Sequence, residues 1–95
     1  MKEDVERIPR KTKDTAHRVL ADKAIVVNFK SSFFYNINSV GTFIYDRCDG
    51  HHTLAQIAAA LAAEYEVTPE VAAADCREYI DGLVSEGLLE WLEGR

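Results

Sequence analysis

The chain has 95 residues, which is enough for one domain but would leave too little core for two. Its 47% hydrophobic and 28% charged residues exclude a wholly disordered chain. No stretch approaches the ~20 uninterrupted apolar residues of a membrane span, and the charged first residues lack the apolar core of a signal peptide, so we expect a cytoplasmic protein with no membrane partner.

The net charge of −5 is unevenly distributed along the chain. Residues 1–30 carry eight basic and five acidic side chains, whereas residues 31–95 carry three basic and eleven acidic ones. A nucleic-acid-binding protein normally has a basic stripe on the element that meets the phosphates, and the acidic second part of this chain would repel DNA. We therefore expect partners with basic segments or apolar contact surfaces, and no nucleic acid.

The first part of the chain predicts a small antiparallel sheet. Residues 1–14 are polar and contain Pro9, which is typical of a frayed terminus or an edge segment, and we expect a single domain over residues 15–95. Runs of strand length, rich in β-branched and aromatic residues, follow at 17–21, 24–29 and 32–37. The last two are separated by only Lys30 and Ser31, which favours a hairpin.

The apolar period then changes from two to 3.6, which predicts three helices. Their starts are marked by Asn38 or Ser39 as a cap, by a capping box at Thr53 and Gln56, and by a cap at Thr68 followed by Pro69. The predicted inner faces are Val40, Phe43, Ile44 and Cys48; then Leu54, Ile57, Ala58, Leu61 and Tyr65; then Ala72, Cys76, Tyr79, Ile80, Leu83 and Val84. Gly87 ends the third helix, and residues 88–93 predict a short strand or an amphipathic tail. The predicted fold class is α+β and winged-helix-like, with a two- or three-stranded N-terminal antiparallel sheet followed by a three-helix cluster.

No pattern in the sequence predicts catalysis or metal binding. A nucleophile elbow, a phosphate-binding glycine loop and a pair of histidines at helical spacing are all absent from the sequence. His51 and His52 are adjacent and therefore point in different directions, so we interpret them as solvated loop residues. Cys48 and Cys76 lie in apolar helical patterns and are interpreted as small core residues whose burial raises the thiol pKa. We expect neither an enzyme nor a cofactor.

The run Ser32–Ile37 is aromatic, uncharged and free of proline. Natural sheets avoid these features on an open edge unless another chain pairs there. The strand is either covered by the N-terminal segment or a second copy in a homodimer, or it accepts an extended peptide by strand addition.

An ordered set of residues, YxINxxGxxIxxxCDGxxTxxxIxxxLxxxY over Tyr35–Tyr65 and DxxxYIxxLxxxGL over Asp75–Leu88, resembles the PqqD family. The resemblance covers about residues 17–90. It implies a winged-helix-like fold and a role as a recognition element for ribosomally made, post-translationally modified peptides (RiPPs). Such a domain is a peptide chaperone: it holds the leader of a precursor peptide as an added strand between its third strand and third helix, and presents the peptide to a modifying enzyme such as a radical SAM protein.

The resemblance also implies a set of site residues. Its third strand corresponds to Ser32–Ile37 and its third helix to about Pro69–Glu86. Leader main chain is expected to pair with Ser32, Phe33, Phe34, Tyr35 and Asn36. The expected groove is lined by Phe34, Ala72, Tyr79 and Leu83, with Asp75 and Glu78 placed to meet a basic leader residue.

Two other functions stay open, as does the pathway. A winged-helix DNA-binding regulator shares the topology, but residues 69–86 contain one arginine against five acids, which disfavours it. A dimeric interaction scaffold would pair the edge strands of two copies. The family's Pro-Glu-Gly turn is replaced here by Phe29-Lys30-Ser31-Ser32, so lasso peptide, sactipeptide or other pathways stand beside pyrroloquinoline quinone synthesis.

Overall fold

A computed structural model of the chain describes residues 5–92. Its elements in chain order are β1 (Pro9–Lys11), β2 (Thr15–Leu20), β3 (Lys23–Asn28), β4 (Phe33–Ile37), α1 (Ser39–Asp46), α2 (Leu54–Tyr65), α3 (Pro69–Ser85) and β5 (Leu89–Trp91). The α+β architecture of a small antiparallel sheet followed by three helices is confirmed.

The three-stranded sheet has the order β2–β3–β4 and is antiparallel throughout. Its first strand begins at Thr15, two residues earlier than predicted, because the pairing with β3 continues as far as Asn28. Both hairpin turns contain a non-glycine residue in the left-handed region, Ala21 with φ of 60° and Ser32 with φ of 65°. Ser32 therefore belongs to the turn and not to the predicted strand.

A separate two-stranded ribbon joins the two ends of the described chain. β1 pairs antiparallel with β5, with Pro9 opposite Trp91 and Lys11 opposite Leu89. Pro9 is fully buried in this ribbon. Of the two predicted forms for residues 88–93, the strand is the one observed over Leu89–Trp91. Residues 1–4 of the predicted N-terminal segment and residue 93 of the predicted C-terminal segment 88–93 lie outside the described residues.

The helix starts are those that the sequence predicts. Asn38 caps α1 by accepting a hydrogen bond from the Gly41 N–H, and Thr53 and Gln56 form the reciprocal capping box of α2. Thr68 caps α3 and Pro69 occupies its first turn. These caps satisfy main-chain donors that have no partner within the helix, which is why short polar side chains mark the boundaries so clearly.

The core lies where the inner face of the sheet meets the three helices. Its buried side chains include Ala24, Val26, Ile37, Ile44, Tyr45, Leu54, Ile57, Leu61, Cys76 and Ile80. The predicted inner face of α1 is wrong at two positions. Val40 was placed on this face and is 41% exposed, whereas Tyr45 was not placed on it and is 1% exposed. The Tyr45 ring packs edge-on against His17 of β2 at 5.2 Å, because α1 lies against the sheet as well as against the other helices. Tyr65 is also more exposed than predicted, and its ring meets Phe43 edge-on at 5.8 Å.

The two cysteines are free thiols in the core, as predicted. Burial raises the pKa of Cys48 to about 12 and that of Cys76 to about 11. We therefore expect both thiols of the native protein to react with Ellman's reagent at pH 8 at least roughly a hundredfold more slowly than after unfolding in urea, because the thiolate is the reactive form. Rapid titration of either thiol in the native state would contradict their placement.

Candidate functional site

The outer edge of β4 has no partner strand among residues 5–92. Among residues 5–92, β4 pairs only with β3, while β1 pairs with β5 on a different ribbon. The described part of the N-terminal segment therefore does not cover this edge, which was one of the two arrangements that the sequence left open. An open edge presents main-chain donors and acceptors to any chain that can pair with it.

The hydrogen-bond pattern shows which residues of β4 face outward. The Phe29 N–H donates to the Asp14 carbonyl at 2.8 Å, on the β2 side of the sheet. Because alternate residues of an antiparallel strand direct their main-chain groups to opposite sides, Asn28 and every second residue before it bond toward β4. Their partners in β4 are Phe33, Tyr35 and Ile37. The main-chain groups that point to the open edge are consequently those of Phe34 and Asn36.

The opposite edge of the sheet, β2, is also unpaired on its outer side among the described residues. It carries His17 and Arg18, whereas β4 has no charged side chain. Polar and charged side chains on an edge discourage pairing with a further strand. Of the two edges, β4 is the one whose sequence permits strand addition.

The helix α3 approaches β4 through the side chains of Tyr35 and Tyr79, which are described below. Asp75, Tyr79, Gly82 and Glu86 recur at helical spacing and share one face of α3, next to its buried stripe. Beside Gly82 no heavy atom of the described part of the chain lies within 4 Å of the position that a Cβ would take, so this part of the helix face borders open space. We call the space between this face and β4 the β4–α3 groove.

Two tyrosine side chains connect α3 with its neighbours at the groove. Tyr35 Oη donates to Glu86 Oε1 at 3.0 Å, which joins β4 to the C-terminal end of α3. At the other end, Tyr79 packs over Gly41, where a Cβ would lie 2.2 Å from its Oη and 2.7 Å from Ile37 Cγ2. Gly41 is therefore required for the close approach of α1, α3 and β4.

Both tyrosines at the groove keep their proton at neutral pH. Desolvation, followed by the hydrogen bond to Glu86, raises the pKa of Tyr35. Burial raises the pKa of Tyr79. Each hydroxyl therefore stays a hydrogen-bond donor, which for Tyr35 is used by Glu86, and neither is poised to act as a base.

The structure brings together some of the predicted site residues and separates others. Phe33, Tyr35, Asp75 and Tyr79 border the groove, whereas the Asn36 side chain lies with that of Phe34 on the outer face of the sheet. Ala72 is fully buried and Leu83 nearly so, which makes both of them core residues beneath the groove instead of contact residues. Glu78 borders a different depression, of about 500 Å³, on the far side of α3 beside Leu54.

Phe34 is the clearest correction to the predicted lining. Its register partner is Val27, and the pleat turns both side chains away from the helices, opposite to Ile37. The Phe34 side chain is 72% exposed on the outer face of the sheet. It contributes main-chain groups to the edge but no side chain to the groove.

Two further residues of the site were not predicted from the sequence, namely Gly41 and Glu86. Glu86 lies eleven residues after Asp75, three helical turns along the same face, and this spacing could have identified it. No local pattern marks Gly41, because its role depends on a contact with Tyr79 that only the folded chain creates.

The histidines beside Asp49 take part in a loop contact. His52 Nδ1 lies 2.9 Å from Asp49 Oδ1, and this hydrogen bond lowers the pKa of the Asp49 carboxyl. Over residues 5–92 no group of three His, Cys, Asp or Glu side chains is placed to hold a metal ion. In the same part of the chain, the helices are too short or too polar to cross a bilayer.

The sequence and fold of the chain match known proteins. The family model described as coenzyme PQQ synthesis protein D (PqqD) matches residues 23–89. This chain belongs to the PqqD family. A search of curated proteins finds no match.

The fold of this PqqD-family chain is shared with solved structures. TbiB1, solved in complex with the TbiA(beta) leader peptide, is 19% identical with a TM-score of 0.82, over 90% of this chain and 99% of that one. Lasso peptide synthetase B1, complexed with the leader peptide, is 21% identical with a TM-score of 0.78, over 86% and 96%. The PqqD truncation of Methylobacterium extorquens PqqCD, described as a functional stand-alone RiPP recognition element, is 22% identical with a TM-score of 0.71, over 87% and 88%.

Proposed function

We propose that this PqqD-family chain is a non-catalytic recognition element that binds the leader of a ribosomally made precursor peptide. The observation that carries the proposal is the open, uncharged edge of β4 beside the α3 face. Two solved structures of the same fold contain a leader peptide, which supports the proposal. The guest main chain would pair with Phe34 and Asn36, and alternate guest side chains would enter the β4–α3 groove toward Tyr79.

The expected affinity follows from the main-chain hydrogen bonds and apolar contacts that the site offers to a peptide. Main-chain hydrogen bonds to the edge contribute about 1 kcal/mol each, and each apolar guest side chain buried in the groove adds ~1.5–3 kcal/mol. The ordering of a flexible peptide offsets much of this gain. A dissociation constant in the micromolar to submicromolar range is therefore expected.

By binding the leader, the chain would hold the precursor peptide for a separate modifying enzyme in the cytoplasm. The family resemblance favours a radical SAM protein as this enzyme. A homodimer that pairs two β4 edges would use the same main-chain groups, so a second copy and the leader would compete. The DNA-binding alternative receives no support from α3, whose exposed side chains in the groove wall include Asp75 and Glu86.

The proposal is tested by titrating the isotope-labelled chain with the leader of a precursor peptide encoded beside its gene. Amide shifts should be concentrated in residues 33–37 and 75–86 and should saturate, and a scrambled peptide of the same composition should not cause them. No change in these two segments at saturating peptide would refute leader binding at this site. Sedimentation at micromolar concentration, with and without the leader, would show whether a dimer occupies the edge instead.

A further inference from the structure

A further depression on the molecule has four cations among its nine lining residues. It has a volume of about 710 Å³ and lies between β1, the β1–β2 connection and the turn that joins β3 to β4. Its charged lining residues are Arg10, Lys11, Lys13, Asp14, Lys30 and Glu90. We call it the basic cleft. Four cations against two acids are unusual in a chain whose net charge is −5.

The four cations are not equivalent. Arg10 Nε is 2.6 Å from Glu90 Oε2 and is thereby neutralised. Lys11 is turned toward the protein, where its Nζ donates to the carbonyls of Tyr45 and Cys48. Lys30 Nζ lies 3.9 Å from Asp14 Oδ2 with a side chain that is 79% exposed, and a contact of this kind is weak.

Lys13 is exposed and forms no ion pair with any other residue from 5 to 92. Lys13 and Lys30 are therefore the two lysines of the cleft whose positive charge is little compensated by neighbouring acids. Their flexible ammonium groups fit carboxylates presented by an extended chain better than one rigid anion, because each can adjust to its partner.

The basic cleft adjoins one end of the β4–α3 groove. Asn28 lines the cleft, and its side-chain amide donates to the Glu86 carbonyl at 3.1 Å. Glu86 is also the residue that accepts the hydrogen bond from Tyr35 across the groove. Gly87, the next residue, lines the cleft. The groove and the cleft thus meet at residues 86 and 87, at the hairpin end of β4.

We propose that the basic cleft binds acidic side chains of the same peptide that adds to β4, at the peptide end that passes Phe33. The proposal rests on the proposed function, because strand addition is what brings the peptide to the hairpin end. The charges of the two ends differ: this end has two lysines, Lys13 and Lys30, beside the Glu86 carboxylate, whereas the other end has one lysine, Lys23, and the Asp75 carboxylate. The charge pattern therefore selects one direction for the guest strand.

The cleft is tested first without any leader, using an acetylated tetraglutamate peptide and the isotope-labelled chain at low salt. Amide shifts should appear in residues 10–14, 28–30 and 87–90, should weaken as the salt is raised, and should not be caused by tetralysine. Shifts spread equally over Arg18 and Lys23, or no shifts in the three segments, would overturn the proposal.

A leader with three added glutamates tests the link to the groove. Placed at one terminus, they should strengthen binding roughly three- to tenfold over three added glutamines, and at the other terminus they should not. Equal effects at both ends, or no effect at either, would overturn the proposal while leaving leader binding intact. A leader that does not bind at all would refute the proposed function and, with it, the link between the cleft and the groove. The tetraglutamate titration by itself would then show whether the cleft binds acidic side chains.

Charge reversal provides a matched control. The double variant Lys13→Glu/Lys30→Glu should lose the gain from the added glutamates, and Lys13→Gln/Lys30→Gln should lose most of it. Arg18→Glu, outside the cleft, makes the same change in net charge as the single variant Lys13→Glu, and of these two only Lys13→Glu should reduce the gain. Equal losses in the variants with the same charge reversal would mean that only net charge matters, which would overturn the proposal.

Discussion

Replacing Asn36 with proline should weaken leader binding by roughly 10- to 100-fold. The guest loses one main-chain hydrogen bond, and the guest carbonyl that is left without a donor costs about 1–3 kcal/mol of binding free energy. The Asn36 N–H points to the open edge of β4, so the substitution removes no bond to β3. Proline is tolerated at such edge positions. Calorimetric titration with the leader measures the affinity, and circular dichroism checks that the domain stays folded.

The matched control is Val19→Pro on the other edge of the same sheet. Val19 pairs with Ala24, whose main-chain groups bond toward β4, so the Val19 N–H also points to an open edge. This variant should bind the leader with nearly unchanged affinity. Equal losses in both variants would indicate a general weakening of the sheet, and an unchanged affinity for Asn36→Pro would exclude strand addition at β4.

Replacing Gly41 with alanine should lower the free energy of unfolding by about 1–3 kcal/mol, since the added methyl group overpacks the junction of three elements. Its Cβ would lie 2.2 Å from Tyr79 Oη and 2.7 Å from Ile37 Cγ2, so the groove wall must move. Urea unfolding measures the loss of stability. Because Tyr79 borders the groove and Ile37 lies beneath it, leader affinity should fall as well.

Gly82→Ala is the same substitution in a helix where there is room for it. No heavy atom lies within 4 Å of the new Cβ, so this variant should be more stable than the parent by about 0.5–1 kcal/mol, the helix propensity of alanine over glycine. The double variant Gly41→Ala/Tyr79→Leu should lose less stability than the sum of its single changes, because removal of the ring relieves the clash. Similar signs for Gly41→Ala and Gly82→Ala, or additive losses in the double variant, would contradict the proposed packing.

Local signals predicted the helices well and the hairpin turns poorly. Asn38, Thr53 and Thr68 mark helix starts because each side chain bonds main-chain groups within its own turn, which is a property of a few neighbouring residues. The hairpin turns contain Ala21 and Ser32 at positive φ, where the usual glycine or asparagine signal is missing. Their boundaries were consequently displaced by one or two residues.

The residues predicted to line the groove also divide into those that lie there and those that do not. Tyr35, Asp75 and Tyr79 were identified from the family resemblance and lie at the groove, and Asn36 contributes its main-chain groups to the edge of β4. Phe34, Ala72, Leu83 and Glu78 were assigned to the groove as well, but the strand register, the depth of the helix stripe and the rotation of α3 place them elsewhere. Register and helix rotation depend on contacts between distant parts of the chain, which a local pattern does not contain.

The amino-acid sequence by itself determined the three capped helices, the aromatic strand without charge, the buried thiols and the family. Only the tertiary structure decided that β1 pairs with β5 and leaves the β4 edge open, that Phe34 faces away from the helices, and that Gly41 admits the Tyr79 ring. The physical reason is that capping and periodicity are energies of neighbouring residues, whereas strand pairing, facing and close packing depend on which distant surfaces meet.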